Sequence, residues 1–68
     1  MNVVINGQER DMTDGSTVAD VLRTLGRDPG GRGIAVALNG EVLPRSGWER
    51  DRVAEGDRIE VLSATQGG

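Results

Sequence analysis

The sequence predicts an α+β domain, in which five short strands form one sheet packed on a single main helix and a flexible C-terminal tail follows. Three observations carry that prediction. Five short runs are rich in β-branched and aliphatic residues, several of them alternating; the stretch from Val18 to Leu25 repeats its apolar residues at helical spacing; and two Asn-Gly dipeptides join runs that must pair as hairpins. A chain of 68 residues has room for one domain with one small core, since folds of this size bury only about 60% of the surface their unfolded chains expose. We divide it into a folded body, residues 1–64, and a tail, residues 65–68.

Met1-Asn2-Val3-Val4-Ile5 is the first β-rich run, and Asn6-Gly7 turns it back through Gln8 to Met12. Asp14-Gly15-Ser16-Thr17 breaks the sheet and offers hydroxyl caps, with Thr17 and Asp20 spaced as a capping box. Val18, Val21, Leu22 and Leu25 then fall at i, i+3, i+4 and i+7, one apolar stripe on a helix of about two and a half turns. Gly26 stands where that helix should stop. Arg27 to Gly33 is polar, glycine-rich and without period, which reads as a mobile loop; it lacks the G-x-x-x-x-G-K-S/T pattern of a phosphate cradle.

Ile34 to Leu38 alternates large and small residues, Asn39-Gly40 turns it, Glu41-Val42-Leu43 returns, and Pro44 ends the return. Trp48 lies in an irregular stretch and is expected to cap one end of the core, its indole N–H finding a partner. Glu55-Gly56-Asp57 turns into a final strand, Arg58 to Leu62. At period two, Val3 and Ile5, Val36 and Leu38, and Ile59 and Val61 face the helix stripe. Val4, Ala35, Ala37 and Leu62 then point to the opposite face, an apolar patch that reads as a partner-binding surface.

Missing residue types narrow the chemistry. Without Cys there is no thiol nucleophile, disulfide or thiolate metal site, and without His the commonest general base and metal ligand is gone. All eight basic residues are Arg, which removes Schiff-base lysines and leaves the Met1 α-amino group as the sole amine. A formal charge of −3 argues against binding a nucleic-acid backbone. No apolar run approaches the roughly 20 residues that span a bilayer, and no basic, apolar leader opens the chain; the expectation is a cytoplasmic protein that engages no membrane and has no metal site. Such a side-chain set is a poor kit for catalysis, and the chain reads as a non-enzyme.

The sequence closes on Ser63-Ala64-Thr65-Gln66-Gly67-Gly68. A tail without side chains cannot pack, and Gly loses more conformational freedom on ordering than any other residue. Such an arm suits presentation to another molecule, beside the patch of Leu62 and its neighbours.

Several of these features together resemble a known family. Val42-Leu43-Pro44-Arg45, Trp48 three residues on, Val53, Gly56-Asp57, Ile59 and the terminal Gly67-Gly68 are similar to the ThiS family, the sulfur carrier proteins of thiamin biosynthesis. The helix opening at Gly15-Ser16-Thr17-Val18 and the Leu38-Asn39 step match as well, so that the resemblance covers essentially the whole chain. It implies a ubiquitin-like β-grasp with a mixed five-stranded sheet. It also implies that the carboxylate of Gly68 is the adenylation and thiocarboxylate site, with Gly67 and Gln66 as its approach. In this family a ubiquitin-activating-like adenylyltransferase of the ThiF type uses ATP to form an acyl adenylate. Sulfur from a cysteine desulfurase-derived persulfide replaces AMP, and a thiazole synthase of the ThiG type takes that sulfur. No cofactor is expected on the carrier itself; ATP is used by its partner. Other carriers share the Gly-Gly end: the usually longer small subunit of molybdopterin synthase and carriers for cysteine or tRNA thiolation. Alternatives of a different class are a purely interaction-making β-grasp module and a ubiquitin-like protein modifier joined to lysines.

Overall fold

At both Asn-Gly dipeptides the backbone takes the left-handed conformation twice in succession. Asn6 and Gly7 have φ of 50° and 83°, Asn39 and Gly40 φ of 51° and 85°. Positive φ at both central residues makes the two-residue turn whose twist matches that of the flanking strands. The first turn joins β1 (Asn2–Ile5) to β2 (Gln8–Asp11), with Ile5 opposite Gln8; the second joins β3 (Ile34–Leu38) to β4 (Glu41–Leu43), with Leu38 opposite Glu41. The computed structural model describes residues 1–63. The tail reading, with Gln66, Gly67, Gly68 and the boundary after residue 64, lies outside the described residues.

The last strand, β5 (Arg58–Ser63), unites the hairpins. The sheet runs β2-β1-β5-β3-β4, with β5 parallel to β1 and antiparallel to β3. The mixed five-stranded sheet is as expected, and the first and last strands lie side by side at its centre. One face is covered by α1 (Val18–Thr24).

The capping box forms at the head of α1. Thr17 Oγ1 accepts from Asp20 N–H at 3.2 Å, and an Asp20 carboxylate oxygen accepts from Thr17 N–H at 3.0 Å. At the other end Gly26 adopts φ of 76°, and Arg27 N–H closes on Leu22 O at 2.9 Å while Gly26 N–H closes on Arg23 O. That closure makes the helix seven residues long, shorter than its apolar spacing suggests. Leu25 falls on the cap, half-buried at the edge of the core, and Leu38, also assigned to the interior, is likewise half-buried at a strand end.

Val3, Ile5, Val36, Ile59 and Val61 from the sheet meet Val18, Ala19, Val21 and Leu22 from the helix, all buried. Met12, Val53 and Trp48 complete this core. Met12 lies one residue beyond the end of β2, which stops at Asp11. Trp48 is 2% exposed, with its Nε1–H donated to Leu43 O at 3.1 Å, the capping role expected of it. After a 3-10 turn (Arg45–Gly47), the chain around Trp48 also serves the helix: Val18 N–H donates to Asp51 O and Ala19 N–H to Trp48 O, at 2.8 and 2.9 Å. These are first-turn groups that no intrahelical partner can satisfy. The irregular stretch thus anchors α1 on the sheet.

The glycine-rich segment before β3 has local order of its own. The Asp28 carboxylate accepts from Gly30 N–H and its carbonyl from Gly31 N–H, at 2.9 and 2.8 Å. Arg45 reaches back to Gly30 O and stacks over the Trp48 ring.

Candidate docking face and tail strand

The register of β5 decides what the open face carries. Val36 pairs with Val61 toward the helix, so Ala35 opposite Leu62 and Ala37 opposite Glu60 point away from it. Across the hairpin Ala37 also faces Val42. Leu62 is 64% exposed and Val42 73%, the large apolar side chains most open to water. Two alanines form the floor between these two walls. A shallow hollow of about 320 Å³ lies at the Leu62 end, lined by Gly33, Ile34, Ala35, Leu62 and Ser63, where the described chain stops.

Of the residues assigned to this face from the sequence, Leu62 and Ala35 are exposed, whereas Val4 and Ala37 are only half-buried. The long side chains of Arg58 and Glu60 stand opposite Val4 and Ala37 in the ladder, which accounts for their partial cover. Val42 belongs to the face and was missed by sequence reasoning. The signal was present: a two-residue Asn-Gly turn fixes Leu38 opposite Glu41, and one step along that register places Val42 beside Ala37.

Elsewhere the polar groups are tied into structure. The Met1 ammonium donates to Met12 O at 2.8 Å and to Asp11 Oδ1 at 3.3 Å, and lies 3.4 Å from Asp14. The Asp11 hydrogen bond is the main cause that raises its pKa above 8.0. The Asp20 carboxyl is lowered, chiefly by the Thr17 N–H, and the Arg23 guanidinium is raised, chiefly by Glu49 at 2.6 Å. A polar hollow of about 460 Å³ lies between the end of β2 and α1, away from β5. Among the described residues no acidic cluster is arranged to hold a metal ion, and no helix is long and apolar enough to cross a membrane.

A family profile described as the ThiS family matches residues 3–68. Over all 68 residues the chain is 38% identical to a thiazole synthase of Paramagnetospirillum magneticum and 32% identical to the sulfur carrier protein ThiS of Escherichia coli. It spans 20% of the length of the first relative and 100% of the second. Among solved structures, the crystal structure of the thiamine biosynthesis protein ThiS from Geobacter metallireducens matches with a TM-score of 0.82 at 31% identity, covering 100% of both chains. SAMP1 from Haloferax volcanii matches at 0.62 with 20% identity, over 98% of this chain and 97% of that one, and speaks for the fold alone. Five mixed strands on one helix are thus the ubiquitin-like β-grasp of these structures.

Proposed function

Because the chain belongs to the ThiS family, we propose that it carries sulfur for thiamin biosynthesis on the carboxyl group of Gly68. The observation that carries this reading is the family match over residues 3–68, which includes the Gly67-Gly68 end. A carboxylate is a poor electrophile, and a chain without Cys, His or Lys has little with which to activate it. Activation therefore falls to a ThiF-type adenylyltransferase: a carboxylate oxygen of Gly68 attacks the α-phosphorus of ATP and pyrophosphate leaves. The outer sulfur of a cysteine desulfurase-derived persulfide then displaces AMP to form an acyl disulfide. A second thiol cleaves its S–S bond, becoming a disulfide with the delivering thiol and leaving the thiocarboxylate. The chain acts as a cosubstrate rather than an enzyme.

The residues contribute presentation. Gly67 and Gly68 allow an extended backbone to enter a narrow site where a Cβ would collide. Leu62, Ala35, Ala37 and Val42 form the docking face, with Val4 at its margin, and they share the sheet with the strand that leads to the tail. The accepting enzyme is a thiazole synthase of the ThiG type. Supporting that pairing, a relative named thiazole synthase contains a segment similar to the whole of this chain.

Intact mass tests the chemistry. After incubation with ATP, the adenylyltransferase, a cysteine desulfurase, cysteine and a thiol reductant, the mass should rise by the difference between one sulfur and one oxygen atom. Deleting Gly68, or replacing Gly67 with Trp, should abolish that shift while thermal unfolding stays that of the parent. Loading of either variant at the parental rate would contradict the assignment, and an isopeptide adduct on lysines of another protein would make the chain a modifier.

A further inference from the structure

Strand β5 has a backbone partner on its β3 side from Ile59 to Ser63, but on its β1 side only at Arg58 and Ile59. The next group on that side is Val61, and the residue placed to meet it is Asn6. With φ of 50°, however, Asn6 has already turned into the hairpin. Its N–H still reaches Ile59 O at 2.9 Å, and its side chain takes over the rest of the ladder. Asn6 Oδ1 accepts from Val61 N–H at 2.8 Å, and Nδ2 donates to Val61 O at 3.3 Å. One amide thus replaces one residue of strand. Asp offers the acceptor without the donor, and Gly offers neither.

The same device sits at the far end of β5. Asn39 has φ of 51°; its N–H donates to Arg58 O at 2.7 Å and its Oδ1 accepts from Arg58 N–H at 2.9 Å. Its Nδ2 continues to the Asp57 carboxylate at 3.1 Å. The two hairpin asparagines bracket the strand that joins the two halves of the sheet. Only the Asn6 bracket lies at the end from which the tail departs, one residue before Leu62.

We propose that the Asn6 amide is a positioning residue for the tail, fixing the point at which β5 ceases to be held from both sides and the presented segment begins. The proposal rests on the sulfur-carrier reading. Its physical basis is reach: the five residues 64–68 span at most about 17 Å when extended. Without the amide, the point held from both sides retreats from Val61 to Ile59, two residues or about 7 Å, and Leu62, paired with Ala35 on the β3 side, stands on a strand held from that side alone. A carrier that docks by that face and threads by that arm needs the two in fixed relation.

The test compares Asn6→Gly with Asn39→Gly, since glycine accepts positive φ and both turns survive while each loses its side-chain bonds. Pyrophosphate release by the ThiF-type adenylyltransferase gives KM and kcat, and amide hydrogen exchange gives local protection. Asn6→Gly should lose protection at Val61 and raise KM about tenfold, with kcat within about twofold because the threaded carboxyl is held by the enzyme. Asn39→Gly should loosen Arg58 and leave KM within about twofold of the parent. Asn6→Asp, which keeps the acceptor and loses the donor, should fall between Asn6→Gly and the parent.

Equal KM effects from Asn6→Gly and Asn39→Gly would reduce Asn6 to a stabilising residue and overturn the proposal. So would an unchanged KM in Asn6→Gly or Asn6→Asp once Val61 protection is lost. A parent chain that the enzyme does not turn over overturns the sulfur-carrier reading itself, and the parent's own turnover tells the two failures apart.

Discussion

Leu62 and Val42 stand as two exposed walls beside an alanine floor, and single side chains of this kind decide whether a face binds. Replacing either with Arg should weaken association with the adenylyltransferase by on the order of 1–3 kcal/mol, as expected of interface hot spots. Titration calorimetry reads this directly, and unchanged affinity in both variants returns the patch to ordinary surface. At the other end of β1, the Met1 ammonium makes a pH-dependent contribution. Its pKa is raised in the folded chain by the Asp11 hydrogen bond, so the stabilisation is complete below 8.0 and is lost as pH rises through the higher folded value. The melting temperature should therefore fall across that alkaline window in the parent and fall less in Asp11→Asn. Equal slopes would deny the pair any role in stability. Leu62 was legible from alternation alone. Val42 was not, because a three-residue strand is too short to show a period, and its face follows only from the turn.

Among the elements, α1 was the most legible, since cap, stripe and stop are all local signals. Leu22, fully buried, lies at the centre of the stripe. Leu22→Ala should cost about 2–5 kcal/mol in urea unfolding, the range for a truncated core side chain, and a negligible loss would mean the packing face is wrong. Thr17→Ala should cost about 1 kcal/mol by removing the cap. The Asp20 carboxyl is held below its ordinary 3.8, so its share of the cap is present above that value and is lost as pH falls through the lower folded pKa. The penalty of Asp20→Ala, which removes that carboxyl, should shrink on acidification through that range. The helix length was overestimated because apolar spacing at Leu25 says nothing about which residue the αL glycine makes last. The asparagines were read only as turn formers; their bonds to β5 join residues 55 and 19 positions apart, which no local pattern announces.

For the molecule as a whole, strand count and both hairpins were written in the sequence, whereas the parallel union of β1 and β5 was not implied by any local pattern. It arises because both hairpins must cover one helix and their free edges need a common strand between them. Trp48 entered the core for a similar reason: the stretch around it carries no period, yet its carbonyl meets a helix N–H that needs a partner. With first and last strands at the centre, no half of the sheet can leave alone, so unfolding should be a single transition. Trp48 fluorescence and far-ultraviolet circular dichroism should give coincident urea midpoints, and separated midpoints would reveal a fragment able to stand by itself. The parallel union also sets the response to tension. Pulling β1 at its start against β5 at its end draws the neighbours past each other along their length, so the bonds joining them strain together instead of opening one by one. A partner tugging at the far end of the final strand therefore meets the strongest direction of the sheet, and can strip its cargo without unravelling the bearer.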